Sequence, residues 1–67
     1  MNEQKTFDFL TENFEMVTID NGQNTVITSK GIYNVTTFEN DNYYTVMKDD
    51  QDVVNFKELN ELLNYIN

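Results

Sequence analysis

The chain has 67 residues, four lysines against twelve carboxylates and a formal net charge of −8, so a single domain (1–67) with a small core is expected, sparing few apolar side chains for a deep pocket. Cysteine and histidine are absent, which excludes a disulfide framework and thiolate zinc sites, removes the commonest nucleophile–base pairs, and makes a cytoplasmic setting the expectation. The charge has the wrong sign for direct nucleic-acid binding, Met1 to Leu10 lacks the apolar run of a signal peptide, and no stretch of about 18 apolar residues spans a membrane.

Between Asn2 and Phe14, the residues Phe7, Leu10 and Phe14 stand at i, i+3 and i+7. This spacing predicts a short amphipathic helix with Phe9 off its stripe and with Asn2 or Thr6 as N-cap. From Glu15 onward Thr, Val, Ile and Tyr alternate with turn residues, the pattern of consecutive strands. Asn21-Gly22 is the strongest turn signal, because both residues tolerate the positive φ angles of a tight hairpin loop. A two-residue loop there sets Val17 opposite Val26 and Ile19 opposite Asn24. A second turn at Lys30-Gly31 pairs Val26 with Val35 and Thr28 with Tyr33. A third, at Glu39-Asn40-Asp41-Asn42, pairs Val35 with Val46 and Thr37 with Tyr44.

All three registers place Val17, Val26, Val35 and Val46 on one face, which is the expected core face. Period-two alternation then sends Met16, Ile27, Ile32, Phe38, Tyr43 and Met47 to the other side of the sheet. In the last segment Asn55 and Glu58 form a capping-box-like pair, with Val54 positioned to pack on Leu59 as a hydrophobic staple. Phe56, Leu59, Leu63 and Ile66 follow at helical spacing, predicting a helix from Phe56 to about Tyr65. The expected fold is α+β: a small antiparallel β-meander of three to four strands, with the N-terminal and C-terminal helices packed on one face.

Little in the sequence carries chemistry. Ser29 or a threonine beside Lys30 or Lys48 is the available nucleophile–base combination, and Ser29-Lys30 reads as an ordinary turn. Asp49, Asp50 and Asp52 form the densest acidic cluster, but the glycine and glutamate spacing of a calcium loop is missing here and at Asp20-Asn21-Gly22-Gln23-Asn24. No cofactor or metal is therefore expected, and no catalysis. A small-ligand carrier would need an enclosed cavity lined by Tyr33, Tyr43 or Tyr44.

Two binding modes remain. In the first, the acidic loops carrying Glu39, Asp41, Asp49, Asp50 and Asp52 dock on a basic protein partner, a nucleic-acid enzyme among the candidates, and imitate spaced phosphates in its groove. Arginine, alanine and proline, whose codons are GC-rich, are absent, while asparagine occurs eleven times; this usage points to an AT-rich genome such as that of a low-GC bacterium or its phage. The composition resembles, as a class and without any shared motif, that of phage and mobile-element inhibitors of bacterial nucleases, anti-CRISPR proteins included. In the second mode the outer-face group of Met16, Ile27, Ile32, Phe38, Tyr43 and Met47 makes a homodimer by back-to-back sheet packing.

Overall fold

The computed structural model of the protein describes residues 2–20, 22–38 and 43–67. Helix α1 (Asn2–Asn13) is followed by five strands, β1 (Met16–Asp20), β2 (Gln23–Thr28), β3 (Gly31–Phe38), β4 (Tyr43–Lys48) and β5 (Asp52–Phe56), and then by helix α2 (Leu59–Ile66). The strands form one antiparallel sheet in the order β1-β2-β3-β4-β5, so each pairs with its neighbour in sequence. The α+β meander with a helix at either end is the architecture the periodicity predicts, with one strand more.

The first and third registers agree with the turn chemistry. Val17 faces Val26 and Ile19 faces Asn24, with Gly22 at φ 75° supplying the left-handed conformation the loop requires. Val35 faces Val46 and Thr37 faces Tyr44. The turn predicted at residues 39–42 lies outside the described residues.

The second register differs by two. Thr28 faces Gly31 and Val26 faces Tyr33, so the loop is Ser29-Lys30 rather than Lys30-Gly31. The cause is local hydrogen bonding. The Thr28 hydroxyl accepts the Lys30 N–H at 3.1 Å and donates to the Gly31 carbonyl at 3.2 Å, closing the turn one residue earlier than glycine placement implies. A shift of two preserves side-chain direction, so the core face survives. Its lateral neighbours change, however, and Val26 packs beside Tyr33 while Asn24 lies beside Val35.

The strand β5 replaces the predicted start of the C-terminal helix. Val54 and Phe56 pair with Val46 and Tyr44, and Asn55, expected to cap the helix, instead accepts a hydrogen bond from the Thr45 hydroxyl at 3.0 Å across the strands. The helix begins at Leu59 after Glu58 in extended conformation, with no side-chain cap. Phe56 and Tyr65 still meet, their rings 5.4 Å apart, so the aromatic at 56 contacts the helix from a strand rather than from its first turn.

Both helices cover the same side of the sheet, α1 against β1, β2 and β3 and α2 against β4 and β5. The core consists of Leu10, Val26, Tyr33, Val35, Val46, Leu62 and Ile66, with Phe9, Phe14, Val17, Tyr44, Phe56, Leu59 and Tyr65 packed around it. On α1 the inward stripe is Thr6, Phe9 and Leu10, continued by Phe14 just past its end, with Phe7 half-buried beside it. Thr6 takes an inward position because its hydroxyl meets that of Thr37 on β3 at 3.0 Å, satisfying a polar group that would otherwise be costly to bury. Asn24 has no such solution. Its side chain is fully buried on β2, and neither amide atom has a partner among the described residues.

Candidate interaction surfaces

With both helices on one side, the other side of the sheet is open. The registers align its side chains in rows across the strands: Met16, Ile27 and Ile32 in one, Thr18, Thr25, Asn34, Met47 and Val53 in the next, Asp20, Gln23, Thr36, Thr45 and Asn55 in the third. Phe38 and Tyr43 stand beyond the third row, stacked with ring centroids 4.8 Å apart at 11°. The six apolar residues assigned to this face by alternation all lie on it, but they form two groups.

Met16, Ile27, Ile32 and Met47 belong to a diagonal band that takes one residue from every strand and ends at Val53, while Phe38–Tyr43 sits at the far end behind a polar row. Met16 and Val53 are the most exposed members, at 58% and 55%. Val53 was illegible as a member because the capping pattern around Asn55 reads that stretch as the approach to a helix.

The polar rows are internally paired. Thr25 donates to Asn34 Oδ1 and Thr45 to Asn55 Oδ1, both at 3.0 Å, and Gln23 Nε2 donates to Thr36 at 3.2 Å. In a chain of which 24% is charged, Asp20, at a corner of an edge strand, is the one charged residue among the described outward-facing positions of the five strands. The remaining carboxylates with described side chains lie on the helices, at strand ends or in turns.

The acidic cluster forms the turn between β4 and β5. Asp49 and Asp50 have φ of 51° and 60°, the left-handed conformation that Asp tolerates better than most residues. Asp49 is a structural residue here: its backbone N–H donates to the Ile32 carbonyl at 2.8 Å and its Oδ1 accepts the Ile32 N–H at 2.9 Å. Asp50 and Asp52 are exposed. Glu39 and Asp41 lie outside the described residues. The residues flanking them, Phe38 and Tyr43, close the β3–β4 pair at the end opposite Asp49.

Among the described residues, no group of three His, Cys, Asp or Glu side chains could hold a metal ion. Ser29 and Lys30 form the exposed β2–β3 loop. Tyr33 is buried edge-on against Tyr65 at 6.0 Å, with Lys48 Nζ 5.7 Å from its ring centroid. Tyr43 borders a solvent-open hollow of about 260 Å³ shared with Asn55, Phe56 and Lys57. A larger hollow of about 400 Å³ runs from Phe14 to Met16 and Ile27 and is also open. No helix among the described residues is long and apolar enough to cross a membrane. No family model, curated protein or solved structure matches the chain.

Proposed function

We propose that the protein is a non-enzymatic interaction module that docks carboxylate-bearing turns and helices on a basic partner, blocking the groove in which that partner binds nucleic acid. The observation that carries this reading is the segregation of charge in a chain of net charge −8: the carboxylates with described side chains lie on the helices, at strand ends or in turns, while among the described residues the outer sheet face carries Asp20 alone. Such a field raises the association rate of a basic protein and makes binding fall with ionic strength. Asp50 and Asp52 at one end of the sheet, with Glu39 and Asp41 in the β3–β4 connection, are the contacting carboxylates in this reading. Asp49 serves the turn. The setting is cytoplasmic and the origin a low-GC bacterium or its phage, as the cysteine-free, asparagine-rich composition favours.

The test is affinity capture from a low-GC bacterial lysate with the wild-type chain and with a variant carrying Glu39→Gln, Asp41→Asn, Asp50→Asn and Asp52→Asn. A basic nucleic-acid enzyme is expected on the wild type at low salt, released by high salt or by excess DNA, and missing from the variant. If wild type and variant retain the same proteins at both salts, the carboxylates are not the contact and the proposal fails.

A further inference from the structure

We infer that the open face of the sheet is the interface of a homodimer, two copies packing their outer faces together about a two-fold axis. The inference is independent of the basic partner, because it uses the neutral side of the molecule and not the charged one.

Three properties of the face single out a second copy as its occupant. The first is electrostatic. Bringing two bodies of charge −8 together through helices or turns would set carboxylate against carboxylate, whereas among the described residues the strands offer Asp20 alone on this face, at its rim. Face-packed sheets lie about 10 Å apart with the helices on the outer sides, so the helix carboxylates of the two copies stand roughly 30 Å from each other, several times the Debye length of about 8 Å at physiological ionic strength, while the turn carboxylates Asp50 and Asp52 lie at the strand ends, around the face rather than on it. The acidic chain can therefore approach itself through this surface at least electrostatic cost.

The second property is composition. The diagonal of Met16, Ile27, Ile32, Met47 and Val53 crosses all five strands, and Met, aromatic residues and a scarcity of charge are what distinguish the centre of an interface from ordinary surface. Between the apolar residues, the hydroxyls of Thr25 and Thr45 already donate to Asn34 and Asn55. Covering them does not strand those donors.

The third is area. Five strands spaced about 4.8 Å and about six residues long give a flat footprint of roughly 24 by 20 Å, so two faces together cover about 1,000 Å² before side-chain relief is counted. That reaches the floor for a specific interface and falls below the standard size, so the dimer is expected to be weak, forming in the micromolar range.

The experiment is sedimentation velocity on the full chain from about 1 to about 300 μM, at about 50 and about 500 mM NaCl, where the Debye length falls from roughly 14 to 4 Å. The mass is expected to rise from 7.9 kDa toward twice that value, with dimerisation about tenfold tighter at the higher salt because screening removes the self-repulsion. This is the opposite salt response to that of a basic partner, so the two ideas fail separately. Ile27→Glu and Val53→Glu, each at an exposed position, are expected to abolish the dimer, while Glu12→Gln on the helix side retains it; far-UV circular dichroism confirms that each variant is folded. A single 7.9 kDa species at both salts throughout the concentration range overturns the inference and leaves the face to a different protein. A dimer that survives both glutamate substitutions overturns it equally.

Discussion

Replacing Asn24 by leucine should make the protein more stable, although the position lies on an interior strand of the sheet and is fully buried. An amide whose donor and acceptor both go unpartnered among the described residues imposes a desolvation cost of about 1 to 3 kcal/mol. Leucine has the same branched skeleton as asparagine, removes that cost and adds apolar burial beside Val35, its neighbour on β3. Against this stands an overpacking cost of about 1 to 3 kcal/mol, because two methyl groups are bulkier than the amide they replace. The net expectation is a gain of about 2 kcal/mol. For a domain whose whole stability is on the order of 3 to 10 kcal/mol, that is a large fraction. With an m-value of about 1 kcal/mol/M, the urea midpoint should rise by about 2 M, and the melting temperature by roughly 8 to 16 °C. Urea titration followed by far-UV circular dichroism reads the first number and a thermal scan the second. An unchanged or lower midpoint, at constant m, would falsify the premise and mean that the Asn24 amide is satisfied in solution. As an internal control, Asn24→Asp buries an unpaired charge at the same site and should cost about 3 to 5 kcal/mol at neutral pH, enough to leave much of the population unfolded.

Other substitutions test separate parts of the fold. Leu62→Ala empties a fully buried site between α2 and the sheet and should lower stability by about 2 to 5 kcal/mol in the same urea assay. Gly31→Ala should be destabilising by about 1 to 2 kcal/mol: Gly31 has φ 150°, and an added Cβ would fall 2.8 Å from the Asp49 carboxylate that holds the Ile32 N–H. Amide exchange at Ile32 should accelerate in that variant, and an unchanged rate would refute the coupling. Asn55→Val distinguishes a strand residue from a helix cap; a change within about 0.5 kcal/mol is expected for an exposed strand position, whereas a loss of about 1 kcal/mol or more would indicate capping.

The parts of the fold legible in the sequence are those where side-chain period and turn chemistry speak together. Asn21-Gly22 fixes the β1–β2 register, and the alternation of valines through β4 identifies the core face without any knowledge of the helices. The β2–β3 register is not legible from sequence because glycine is a turn signal twice over, inside a loop or at the first strand position after it, and the Thr28 hydroxyl decides between the two. The strand β5 was hidden for a similar reason. Asn55 and Glu58 have cap spacing, but their helical promise loses to a cross-strand bond with Thr45 that only tertiary structure creates. On α1 the choice of Phe9 over Phe7 depends on where Thr6 finds Thr37, a pairing across 31 residues that no local pattern encodes. Of the candidate surfaces, the outward placement of Met16, Ile27, Ile32, Phe38, Tyr43 and Met47 follows from parity alone. That the face is nearly uncharged was equally readable, since parity also assigns the threonines and asparagines, but its extension to Val53 required the fifth strand.

The uninterrupted strand order has a kinetic consequence. Every pairing in the sheet joins neighbours along the chain, so assembly never has to bridge the long separations that slow Greek-key and parallel sheets. Each hairpin can close in about 1 to 10 μs once its turn forms, and each closed hairpin offers an edge to the next strand. Folding on the millisecond scale or faster is the expected result, with the sheet able to grow as the chain leaves the ribosome and little time for its apolar face to meet unwanted neighbours before α1 and α2 are both in place.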